Sequence, residues 1–219
     1  MNIATIRKRI KDFASEQEWN HQYHLSDGIR TREKDVDSPG YNTVKWERLR
    51  PILDKINLSG KKVLDVGSSD GFYAIKCALL GADVLGIEID ELRVDRANFM
   101  QKVLDVSNVS FISKSLYDFE GEKFDVILGL GLLHRIPNMH EFLKKASAMS
   151  DTLNDEVFDG KKQTKLNNYN TLHGIPTNKF VKNRLVDLGY TSFDFILDKD
   201  SHLTFKRTIC VAKRGVENE

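Results

Sequence analysis

Between residues 62 and 149 short apolar runs alternate with longer stretches whose apolar positions recur every three to four residues. The runs at 62–66, 83–87, 109–112 and 124–128 read as strands, and the stretches at 71–80, 91–104 and 139–149 read as helices. Strands rich in Val, Ile and Leu that alternate with helices form a parallel sheet covered on both faces. Beyond residue 150 the pattern weakens. "SDTLNDEVFDG" (150–160) reads as a polar fifth strand, 160–174 as a loop, and 178–188 as a helix opened after Pro176-Thr177 and closed at Gly189. "TSFDFILD" and "RTICVAKR" then alternate as two strands at hairpin distance, which brings the expected total to seven. The expected fold is α/β, a doubly wound, Rossmann-like sheet of seven mostly parallel strands.

Ahead of this core, Ile6, Ile10 and Phe13 are spaced for an amphipathic helix over 5–18, whose basic turn Arg7-Lys8-Arg9 reads as a solvated face. Residues 19–40 are polar, aromatic and without a period, hence a loop or lid. Residues 43–57 resume a helical pattern through Val44, Leu49, Ile52, Leu53 and Ile56, with Pro51 as an interior irregularity. The expected organisation is an N-terminal helix and lid segment, 1–57, and a core domain, 58–215. The second expected lid is the insert at 160–176.

Charge and cysteines narrow the class. With 33 basic and 32 acidic residues the formal net charge is +1, so no global field recruits a polyanion, and a nucleic-acid partner needs a local basic patch. Cys77 and Cys210 sit in helical and strand patterns and read as reduced core thiols. No signal-peptide h-region and no membrane-length apolar run occurs, so a soluble cytoplasmic protein is expected. His21 and His24 lie three apart but lack a third ligand, so no metal is expected.

The chemistry concentrates after the first core strand, in "VLDVGSSDGFYAIKCALLGA" (63–82). In open parallel sheets, ligands sit outside the carboxyl ends of the strands, where the chain turns into a helix. Gly67 lets backbone approach a ligand closely, and N–H groups near Gly71 are expected to face an anion. A dinucleotide site wants GxGxxG, whereas Ser69 stands at the middle position, and no Gly-Lys-Ser/Thr follows; NAD and ATP are disfavoured. Glu88, 21 residues after Gly67 at the tip of the next strand, is placed for a ribose diol, with Asp90 as its competitor.

The stretch around Asp65, Gly67 and Gly71 resembles motif I of class I S-adenosylmethionine-dependent methyltransferases, "hhDhGxxxGxx". The resemblance implies that Asp65 lies near the methionine amino group and that Gly67, Ser68, Gly71 and Phe72 belong to the turn around the methionine portion. It implies Glu88 at the ribose, Ser115 and Leu116 beside the adenine, and Gly129 at the strand tip facing methionine and acceptor. The donor implied is S-adenosylmethionine or a carboxylated variant. "WNHQYHLSDGIRT" (19–31) further resembles the "WxHxhxLxDGxxT" stretch of the wobble-uridine methyltransferase-like group of tRNA enzymes, through Trp19, His21, Leu25, Asp27, Gly28 and Thr31. "GLLHR", "DTLNDEV" and "NTLHGIPT" resemble later stretches of that group, with His134 standing for either its Tyr or its His.

These resemblances imply methyl transfer, in which positioning does most of the work and a base is needed only where the acceptor must lose a proton. His134 is the first candidate base and His21 the second. Trp19 and Tyr23 are candidate pocket walls and Glu156 a candidate acceptor-facing acid. Arg30, Arg32, Lys45 and Arg135 are candidates for an acidic acceptor or a carboxylated donor. The expected acceptor is a small molecule or glycan, favoured over tRNA by the near-zero net charge. A binding module without turnover and an NAD-dependent oxidoreductase are the readings from other classes.

Overall fold

The first core run becomes the centre of the sheet because its residues bury both faces. In the computed structural model, which describes residues 3–16, 19–25, 31, 41–120, 122–158, 177–197 and 207–215, Val63 and Leu64 are fully buried in two different apolar clusters. Strand β1 (Lys62–Val66) pairs in parallel with β2 (Asp83–Glu88) and with β4 (Val126–Gly129). β2 continues to β3 (Val109–Ser113), and β4 to β5 (Thr152–Phe158), again in parallel. β7 (Arg207–Lys213) lies antiparallel between β5 and β6 (Ser192–Leu197), which gives the order β3-β2-β1-β4-β5-β7-β6. The expected seven-stranded, mostly parallel, doubly wound sheet is present.

Helices α2 (Tyr41–Ile56), α3 (Phe72–Ala78) and α4 (Glu91–Val103) pack with one apolar cluster, through Leu49, Leu53, Ile75, Val94 and Met100. Helices α5 (Met139–Met149) and α6 (Asn178–Asp187) pack with the other, through Phe142, Leu143, Val181 and Leu185. α1 (Ile3–Glu16) joins through Phe13, whose ring stacks on Phe99 at 3.9 Å. Trp19 and Tyr23 share the cluster of α2 and α3, so the segment ahead of the core is part of its packing. Side-chain caps open three helices: Asp90 accepts from Leu92 N–H at 3.0 Å, Asn138 from Glu141 N–H at 3.1 Å, and Thr177 from Phe180 N–H at 3.2 Å. No helix among the described residues is long and apolar enough to cross a membrane.

The boundaries differ from the sequence pattern where local hydrogen bonding wins. β4 starts at Val126 rather than 124, because the Phe124 N–H is taken by Met149 O at 2.9 Å, outside the ladder. α3 stops at Ala78, and the chain reverses at Gly81 with φ +88°. Two 3-10 turns, Leu116–Asp118 and Leu133–Arg135, escape the pattern because three residues carry no period. α2 runs through Pro51 without a break. The 160–176 insert and most of 19–40, both expected as lids, lie outside the described residues.

Gly71 is where the crossover geometry is tightest. Its φ is +82°, and a Cβ there would stand 2.6 Å from Phe111 Cζ and 3.0 Å from Ala97 Cβ. Gly71→Ala is expected to cost about 2 kcal/mol or more through overpacking and a left-handed backbone. Urea unfolding with an unchanged m value checks it.

Candidate active site

At the carboxyl ends of the parallel strands, the chain leaves β1 toward β2 and β3 and later returns to β4 on the other side. That switch point opens a crevice. A cavity of about 530 Å3 fills it, within the range of small-molecule sites. Its lining follows the strand tips: Asp65 and Gly67 after β1, Glu88 and Ile89 after β2, Ser115 and Leu116 after β3, and Leu130 to Leu132 after β4. Asn20, His21, Asn42, Lys45 and Tyr73 add a polar wall from the segment ahead of the core, α2 and α3.

The turn from β1 to α3 is wired internally. The N–H groups of Gly67 and Ser68 both donate to Ile87 O, at 2.8 and 3.1 Å, and Gly71 N–H donates to Ser68 O at 2.9 Å. Ser69 N–H donates to a Glu88 carboxylate oxygen at 3.0 Å. The N–H groups of Gly67, Ser68, Ser69 and Gly71 thus bond within the fold, and Gly71 faces Phe111 and Ala97 instead of the cavity. Ser68 is buried with its Oγ toward Gly86, and Phe72 is a core ring; neither lines the cavity, whereas Gly67 does.

Glu88 and Asp90 separate by role. Glu88 lines the cavity and also accepts from Ile89 and Asp90 N–H at 2.8 and 3.2 Å, so backbone donors orient its carboxylate. Asp90 caps α4 and pairs with Arg93 at 3.3 Å. Ser115 and Leu116 both line the cavity, with Ser115 Oγ accepting from Tyr117 N–H at 3.2 Å. Gly129 ends β4 just short of the cavity wall, which the next three residues form. His134 is not in the wall either. On its 3-10 turn it receives a hydrogen bond from Arg135 Nε at 3.3 Å, while Arg135 lines the cavity. His21 does line the cavity. Arg30, Arg32, Asp27 and Gly28 lie outside the described residues, as does the Glu156 side chain.

Asp65 is the electrostatic anomaly. It is 2% exposed, and its Oδ2 has no hydrogen-bond partner among the described residues. Burial lifts its pKa from 3.8 to about 7, against a backbone hydrogen bond from Ala74 and with help from the nearby Glu88 charge. A carboxyl group held so is a receptor for a cation or a strong donor.

Comparison with known proteins bears on what that ligand is. Residues 57–156 match the family model described as a methyltransferase domain. The match spans just under half of the chain and takes in strands β1 to β4 with the turn that lines the cavity. Over 104 residues, 47% of the chain, it is 32% identical to the ubiquinone biosynthesis O-methyltransferase of Pseudomonas putida (strain W619) and 31% identical to that of Pseudomonas fluorescens (strain SBW25). The matched stretch spans 45% of the length of each relative. Among solved structures, the N-terminal domain of EvdMO1 with S-adenosylhomocysteine bound superposes with a TM-score of 0.71 at 18% identity, over 96% of this chain and 97% of that one. The magnesium protoporphyrin IX methyltransferase of Synechocystis PCC 6803 with bound S-adenosylmethionine gives 0.63 at 22% identity, over 78% of each chain. At these identities the likeness speaks to the fold, which is the class I methyltransferase fold.

The residues lining the cavity fit S-adenosylmethionine. The orphaned Asp65 oxygen suits the α-ammonium of the methionine portion, Glu88 suits a ribose diol, and Leu116 with Ile89 offers apolar surface to an adenine. Sequence reasoning missed Asn20, Asn42, Tyr73, Arg93 and Tyr117 in the wall, because each reads as an ordinary helix or loop residue. The raised Asp65 pKa has a stability consequence. Its contribution is full below about pH 4 and is lost as pH rises through about 7, since the buried carboxyl must then ionise. Asp65→Asn is expected to flatten the fall in stability over that window, checked by urea unfolding of both proteins at about pH 4, 6 and 8.

Proposed function

We propose that the chain is an S-adenosylmethionine-dependent methyltransferase that transfers a methyl group to an oxygen of a small-molecule or glycan acceptor. The observation that carries this reading is one continuous cavity. It runs from the donor-type groups at the strand tips, Asp65, Gly67, Glu88 and Leu116, to a polar wall of Asn20, His21, Asn42, Lys45 and Tyr73. Binding at one end and acceptor recognition at the other is what an in-line transfer needs, because alignment with exclusion of water supplies most of its acceleration. The donor brings a methyl carbon already activated by sulfonium; the protein holds it and presents the acceptor.

Oxygen as the target is supported by the relatives' names, ubiquinone biosynthesis O-methyltransferases. A sugar-type acceptor is supported by the EvdMO1 domain, whose structure was also solved in the presence of S-adenosylhomocysteine and D-fucose. The wobble-uridine tRNA reading rests on the 19–31 stretch and three later ones, and several residues of the 19–31 stretch have local structural work. Trp19 Nε1 donates to Ala14 O at 2.9 Å, and Thr31 Oγ1 accepts from Tyr23 N–H at 2.8 Å and donates to His21 O at 2.9 Å. A carboxylated donor is the second donor reading, favoured by Lys45, Arg93, Lys114 and Arg135 in the lining.

Calorimetric titration with S-adenosylhomocysteine tests the reading. The expected result is one site per chain, with affinity reduced at least about tenfold, about 1.4 kcal/mol, in Glu88→Ala. Absence of binding by folded protein contradicts it. A screen of sugars, phenols and unmodified tRNA with labelled donor then assigns the acceptor class.

A further inference from the structure

Asp70 is the acid of the β1–α3 turn that donor binding does not use. It is fully buried, at 0% exposure. Its Oδ2 accepts the backbone N–H groups of Asn20 and His21, both at 2.8 Å, and its Oδ1 meets Nδ1 of the His21 ring. Tyr23 Oη donates to the Asp70 carbonyl at 2.7 Å. The segment ahead of the core is thus fastened to the turn at Asp70.

The ring is held as firmly as its backbone. It stands edge-on to Tyr73 at 5.4 Å and tilted against Phe72 at 5.6 Å. Burial raises the Asp70 pKa, but the His21 charge and the hydrogen bonds from His21 and Asn20 outweigh it and bring the net value below the ordinary 3.8. A carboxylate on Nδ1 keeps the proton on that nitrogen in the neutral ring and leaves Nε2 as the basic one. His21 lines the same cavity as Asp65 and Gly67, the groups assigned to the methionine end of the donor.

We propose that His21 is the general base of the methyl transfer and that Asp70 is its positioning residue. The inference rests on the methyltransferase reading and adds the proton path to it. As the acceptor oxygen bonds to the methyl carbon, the sulfur–carbon bond breaks with its electron pair passing to sulfur. His21 Nε2 takes the hydroxyl proton. The imidazolium is held by the Asp70 carboxylate until solvent removes the proton. Other titratable groups around the ring are Tyr73 of α3, Lys45 of α2, whose Nζ stands 5.7 Å from the Tyr73 ring centroid, and Tyr23 and Asp65 nearby.

The test begins with long-range proton–nitrogen correlation of ring-labelled histidines, with and without S-adenosylhomocysteine, in the intact protein and in Asp70→Asn. The expected neutral ring of His21 carries its proton on Nδ1, and that preference weakens in Asp70→Asn, which loses the carboxylate's charge. A proton on Nε2 in the intact protein, or a tautomer indifferent to Asp70, overturns the proposal. With the acceptor that the screen returns, His21→Gln is expected to lower kcat at least about 100-fold while S-adenosylhomocysteine affinity stays within about threefold. A kcat within about threefold of wild type overturns a base role and leaves the pair as a structural clasp. If S-adenosylhomocysteine does not bind, the methyltransferase reading fails separately, and the histidine spectra still report whether the dyad is built as described.

Discussion

Three carboxylates are buried around one turn, and the rest of the site depends on how each is compensated. Glu88 is held by three backbone N–H groups, from Ser69, Ile89 and Asp90. Asp70 is held by two amides and an imidazole. Asp65 keeps one oxygen without a partner among the described residues. Burying a carboxylate without partners is costly, so the first two are settled by the fold while the third is settled by its proton or by a ligand. That asymmetry marks the cation-seeking end of the cavity.

The sheet makes this clustering possible. β1 lies between β2 and β4 because the chain winds outward to β3 before crossing back, so the turn after β1 meets the tips of both neighbours. Gly67 N–H and Ser68 N–H then bond to Ile87 of β2, and Leu132 beyond β4 closes on Gly67, its Cδ1 3.0 Å from where a Cβ would stand. The segment ahead of the core adds the remaining wall, and its Trp19 and Tyr23 share the apolar cluster of α2 and α3. Its polar groups are therefore presented by packed elements, which favours precise alignment of an acceptor.

The fold was legible because β-branched runs and a 3.6-residue period repeat through the core; Gly67 and Glu88 were legible because their spacing follows the strand tips, and Asp65 through the resemblance of its stretch to motif I. What escaped depended on contacts across the chain. His21 and Asp70 are 49 residues apart, and no local pattern couples them. Gly71 looks like a ligand-facing glycine in sequence but is required by Phe111. His134 and Arg135 exchange places at the wall because a three-residue 3-10 turn has no period from which to read direction. Lys45, one of four basic candidates that the sequence could not rank, is carried by α2 to 7% exposure beside the cavity.

The central claim is that Asp65 awaits the donor's cation, and proton-linked binding tests it most directly. Titration of S-adenosylhomocysteine in buffers of different ionisation enthalpy, from about pH 5 to pH 8, reads the protons exchanged on binding. The account predicts proton release below about pH 7 and an affinity that rises with pH until Asp65 is ionised in the free protein, with both effects gone in Asp65→Asn. Binding with no proton release and a flat pH dependence would contradict it.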